Sequence, residues 1–214
     1  MLADTTEDAY HAHLLRINVT ISDINIPSAS EVRDSTFFGG LHFYMDGIAE
    51  NCSARRITIP GDGTVQDSTV HGGIVVNGAG SILNNTAGYI YAGNSSVIQG
   101  NHIEGAPEWD VWGIQVGGSA TIFQNRLVGN ARGIQIYGGS VTGNLVASSP
   151  GVGLEIHGNV GVSNNTFTGL GGNTIVIVEG TPTIQNNNLE GDLGTFDLQN
   201  LTINDIDADN NWWG

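Results

Sequence analysis

Eight residues in the middle of this chain have side chains suited to holding a ligand. Trp109, Asp110 and Trp112 sit within "EGAPEWDVWG" (104–113), and Gln115, Gln135, Tyr137, Glu155 and His157 follow at nearly regular intervals. Carboxamides and carboxylates exchange hydrogen bonds with hydroxyl groups, and aromatic faces offer broad apolar contact to a sugar ring. The set therefore points to a polysaccharide or other glycan. It also contains weak catalytic candidates. A glycoside hydrolase needs two carboxyl groups about 5–9 Å apart, and Asp110 with Glu155, assisted by His157, is the available pair. A β-eliminating lyase needs a base and a cation to neutralise a uronate. The chain has no Lys, and Arg126 and Arg132 fall outside the columns formed by the patch. Catalysis by a lyase or hydrolase thus ranks behind binding.

The spacing of these residues shows what must position them. Gln115, Gln135 and Glu155 stand in "GIQV", "GIQI" and "GLEI", the same segment written three times, and "GIVV", "YIYA", "TIVI" and "TFDL" are further copies. Each alternates apolar with other residues, the period-two pattern of a half-buried strand. Inward positions are Ile74/Val76, Ile90/Ala92, Ile114/Val116, Ile134/Ile136, Leu154/Ile156, Ile175/Ile177 and Phe196/Leu198. The outward column reads Val75, Tyr91, Gln115, Gln135, Glu155, Val176, Asp197, and its neighbour includes Tyr137, His157 and Val178. A second signature follows each copy, as in "IQGNHI" (98–103), "IFQNRL" (122–127) and "VSNNTF" (162–167). Its polar anchors are Ser68, Asn85, Asn101, Asn125, Asn144, Asn165 and Asn187, 17, 16, 24, 19, 21 and 22 residues apart.

A coil of about 20 residues cannot bury its own apolar side, but stacked coils share one continuous core. The sequence therefore predicts an all-β, single-stranded parallel solenoid of about nine coils. Rungs would lie about 4.8 Å apart, with Gly and Asn at corners that need left-handed backbone. The Asn column is expected to stack as a ladder bonded to neighbouring backbone.

The N-x-apolar anchors and the closing "DNNWWG" (209–214) resemble right-handed parallel β-helix proteins of the pectin-lyase-like superfamily, and more closely the NosD-like repeat. The resemblance spans residues 17–214 and implies fold rather than activity, because this architecture hosts lyases, hydrolases, adhesins and scaffolds. Residues 1–16 are expected to form a cap or linker, with a short capping helix possible over 5–15. The stretch between Ser35 and Ser68, 33 residues long, is either one coil with an excursion or two imperfect coils.

Composition bounds the partners. The formal net charge is −15, from 21 acidic residues against 6 arginines. Phosphate backbones and anionic membrane surfaces attract Lys and Arg, so neither nucleic acid nor a membrane is an expected partner. No apolar run is long enough to span a bilayer. The composition suits an extracellular or cell-surface protein. The single cysteine, Cys52, reads as a small buried apolar residue. His11 and His13 form a minimal "HAH" copper-type motif, but no metal site is expected; Ca²⁺ near "DIDADN" (205–210) is the one cofactor the oxygen-rich corners allow. The leading reading is a non-catalytic secreted or surface module contacting carbohydrate along one flank. Its rival is a structural subunit of a surface layer, stalk or filament, self-associating end to end through the C-terminal coil.

Overall fold

The computed structural model describes residues 18–19, 23–27, 29–105, 111–191 and 196–214. Trp109, Asp110, His11, His13 and the expected N-terminal cap lie outside these residues. The described chain is an all-β parallel solenoid of about nine turns. Every strand pairing in it is parallel, and strands join the coil above or below rather than their sequence neighbours.

Each complete coil contributes up to three short strands, which define three faces. The coil around Glu155 shows the order. Leu154–His157 lies on the first face, Val160–Ser163 on the second and Thr166–Leu170 on the third. The second face is a nine-stranded ladder running from Ser30–Arg33 to Thr183–Gln185. The first face carries Gly40–Phe43, Arg56–Ile59, Trp112–Val116, Arg132–Ile136, Leu154–His157 and Ile175–Glu179.

Alternation in the sequence becomes a core because strand side chains point to opposite sides in turn. On the first face Leu41, Ile57, Ile74, Ile90, Ile114, Ile134, Leu154 and Ile175 stack in register, each fully buried. The last coil departs from the expected phase. Leu198, not Phe196, lies opposite Ile175, and Asn200 lies opposite Ile177. Phe196 is displaced outward and exposed. The apolar letter pattern of "TFDL" fits two registers, and pairing with the preceding coil chooses between them.

The corner between the second and third faces is the most regular feature. Ten successive residues there have positive φ, from Asp34 (49°) and Asn51 (50°) to Asn186 and Asn210 (both 58°). Each immediately precedes an anchor. Asp, Asn and Gly dominate these positions because they tolerate left-handed backbone most cheaply. The anchors then form a ladder. Asn101 Oδ1 accepts from Asn85 N–H at 2.9 Å and from Asn85 Nδ2 at 3.0 Å. The same pair of bonds repeats from Asn101 to Asn125 and onward to Asn211. The remaining amide hydrogens reach the carbonyl of an apolar residue one coil back, such as Ile82 for Asn101 and Ile98 for Asn125.

This corner resolves the long interval between Ser35 and Ser68. It is two coils, with Cys52 as the missing anchor. Ser53 N–H donates to Ser35 O and Thr69 N–H to Cys52 O. The Cys52 thiol contacts Val32 O at 3.4 Å and Glu50 O at 3.3 Å, the carbonyls an Asn amide would reach at this place. Burial pushes the Cys52 thiol above its ordinary pKa, against the lowering effect of backbone hydrogen bonds from the ladder.

Candidate functional site

Of the predicted ligand residues, Gln115, Gln135, Tyr137, Glu155 and His157 lie at outward positions of the first face. Cross-coil register places Tyr91, Gln115, Gln135, Glu155 and Val176 in one column. The column ends on Gln199 in place of Asp197, following the shifted last coil. In the opposite direction it continues through Val75 and Thr58 to His42 and Asn25. The neighbouring column brings Tyr137 to His157, and an irregularity then sets His157 opposite Glu179 instead of Val178.

Three of these side chains are joined. Gln115 Nε2 donates to Gln135 Oε1 at 2.8 Å, and Gln135 Nε2 donates to Glu155 Oε1 at 2.8 Å. The carboxylate at the end of the row accepts and cannot donate when ionised, which fixes the direction of both amides. His157 Nε2 lies 2.7 Å from the same Glu155 oxygen, within hydrogen-bond reach of it. The His157 ring stacks on Tyr137 with centroids 4.5 Å apart and planes 18° from parallel. The side chains of His157 and Glu155 are 18% and 19% exposed, and Tyr137 is 44% exposed. The cluster thus faces solvent with its polar groups already paired to one another. Incoming hydroxyls would meet the second oxygen of Glu155 and the remaining amide hydrogen of Gln115.

Trp112 has a different role from the stacking platform its residue type suggests. It is buried, at 5% exposure, with the Arg132 guanidinium 5.2 Å from its ring centroid. Stacked cation and indole form a wall rather than a free face. Against this wall lies an open depression of about 520 Å³, lined by Arg56, Asn77, Tyr89, Tyr91, Trp112 and Gln115. A second of about 400 Å³ adjoins it and shares Arg56 and Tyr89; Asp23, His42 and Arg55 also line it. Among the described residues, no group of three or more His, Cys, Asp or Glu side chains is placed to hold a metal.

Sequence reasoning missed Asp23, His42, Arg55, Arg56 and Tyr89. Four of the five fall in or before the coils whose phase was hidden while Cys52 stood unrecognised as an anchor. Tyr89 lies in the strand "YIYA" as expected, and its ring lies over Gly73 of the preceding coil, where a Cβ would collide with it. A signal was present: each tyrosine of that strand has a glycine in an adjacent coil, Gly73 beneath Tyr89 and Gly117 beside the Tyr91 hydroxyl.

No family model, curated protein or solved structure matches this chain.

Proposed function

We propose that this chain is a non-catalytic β-solenoid module, secreted or on the cell surface, that contacts a carbohydrate polymer along its first face. The carrying observation is the open depression bounded by Tyr89, Tyr91, Arg56, Asn77 and Gln115. It runs along the stacking axis into the Gln115–Gln135–Glu155 row, so a linear polymer would meet apolar ring faces first and amide hydrogen bonds next. Rungs about 4.8 Å apart approximate the length of one sugar unit. The binding reading is favoured over hydrolysis because Glu155 is engaged by both Gln135 and His157. The N-x-apolar repeat and closing "NNWWG" support placing the chain among pectin-lyase-like, NosD-like surface proteins. A glycan array with the intact chain and with Tyr91→Ala and Gln115→Ala tests the reading. Binding to one or more neutral oligosaccharides, weakened about tenfold by Tyr91→Ala, is expected. Absence of any glycan signal, or a signal indifferent to both changes, overturns it.

A second reading rests on the last coils, where Phe196, Leu201, Ile203, Trp212 and Trp213 are all exposed. Apolar surface of this kind is a hallmark of association, and it supports end-to-end stacking as a structural subunit. Sedimentation over a concentration series decides. Growth into filaments supports the assembly role, and a monomer at every concentration rejects it.

A further inference from the structure

We infer that the glycan contacted by the first face carries a phosphate group, seated in the basin between Arg55, Arg56 and His42; this rests on the carbohydrate reading above. The observation behind it is a local reversal of charge. The chain has a net charge of −15 and only six arginines. Arg33 is held by Glu31 and Glu50, and Arg132 covers Trp112. Arg55 and Arg56 are consecutive, exposed, and both line the smaller depression. Neither forms an ion pair among the described residues, in a protein where carboxylates outnumber cations more than three to one.

The basin is shaped by missing side chains. Gly40, Gly72 and Gly73 lie along it. A Cβ on Gly40 would stand 2.5 Å from His42 Nε2 and 3.0 Å from Asp23 Oδ1, and one on Gly73 would strike the Tyr89 ring. Glycine at these two positions leaves room for the His42 imidazole and the Tyr89 ring to lie against the backbone as walls of the basin. The one carboxylate on the rim, Asp23, spends Oδ1 on the Gly40 N–H at 2.6 Å. Its charge still opposes an anion and sets the side on which one would sit, next to the guanidiniums.

Donor count favours phosphate over carboxylate. A carboxylate has two oxygens and satisfies one guanidinium fork. A phosphate monoester offers three terminal oxygens in a tetrahedral array and nearly two charges at neutral pH. It can serve both arginines and leave an oxygen for His42. The attached sugar has a place as well, because Arg56 and Tyr89 line both this basin and the aromatic depression beside it.

The test is calorimetric titration of the intact chain with glucose 6-phosphate, glucuronate and inorganic phosphate at low salt. Glucose 6-phosphate is expected to bind tightest, with affinity falling as salt rises. Arg55→Gln should weaken it about tenfold and Arg55→Lys less, since the charge returns without the fork. Asp23→Asn, which keeps the acceptor for Gly40 N–H, should strengthen it about twofold by removing repulsion. Glucuronate binding as tightly as glucose 6-phosphate overturns the inference, as does an Arg55→Gln affinity within about twofold of the parent. Failure of the wider groove reading looks different. Neutral oligosaccharides would then show no Tyr91-dependent binding, while Arg55-dependent phosphate binding persists and supports the basin alone.

Discussion

Two rows of stacked amides run along this solenoid, and they differ in what surrounds them. The corner row is enclosed from Asn85 to Asn187. Asn101, Asn125, Asn144 and Asn165 are at most 2% exposed. Each donates to the next rung and to the backbone of the rung behind. The flank row, Gln115 to Gln135 to Glu155, has similar head-to-tail bonds, at 2.8 Å against 2.9–3.0 Å in the corner row. Yet it bonds only side chain to side chain, spans three coils and ends on a charge at the solvent boundary. The corner row therefore couples coils to one another, because breaking it strands backbone groups in a dry interior. The flank row couples nothing that water cannot replace. Stacking geometry alone does not make an amide ladder structural; what its amides reach does.

Four substitutions or measurements test that contrast. The largest effect is expected from Asn125→Ala. It removes the acceptor for Asn101 N–H and Nδ2 and the donor to Ile98 O and Phe123 O, and should cost about 3–5 kcal/mol in urea unfolding. A cost below about 1 kcal/mol would erase the distinction between the rows. Gln135→Ala, the matching cut in the flank row, should cost about 1 kcal/mol, because Gln115 and Glu155 can turn to water. Cys52→Asn sharpens the comparison from the other side. It would place an amide in the corner row, beside the Ser68 anchor that separates it from Asn85, where the thiol now makes weak contacts, with an expected gain of about 1 kcal/mol by the same measurement.

The smallest effect is the pH response of Cys52. Its folded pKa is raised by burial above the free-thiol value of 9.0. Stability linked to it is therefore full below pH 9.0 and declines as pH climbs past that value toward the folded pKa. Unfolding midpoints of the parent and Cys52→Ser, compared from pH 7 upward, should converge above pH 9.0. Thiol labelling of the native chain at neutral pH should be slow and should follow unfolding.

Much of the candidate site was legible because it obeys the repeat. The Gln115, Gln135 and Glu155 column follows from counting 20 residues twice, and Tyr137 beside His157 follows from the same count plus two. What escaped counting lay where the count failed. The basin of Arg55, Arg56 and His42 sits on coils whose anchor is a cysteine, so no asparagine marked their phase. Trp112 was legible as an aromatic beside the patch, but not as a buried wall under Arg132.

The amino-acid sequence by itself determined the coil. Apolar alternation can satisfy only strands, no single coil can bury its apolar side, and an asparagine at each corner gives the repeat a fixed place to turn. Tertiary structure alone decided register. Whether Phe196 or Leu198 enters the core, whether Cys52 counts as a rung, and which arginines meet across a groove depend on hydrogen bonds to the adjacent coil. Those bonds join residues 15 to 27 positions apart, and a local pattern that repeats every two residues is equally content one step of the repeat in either direction.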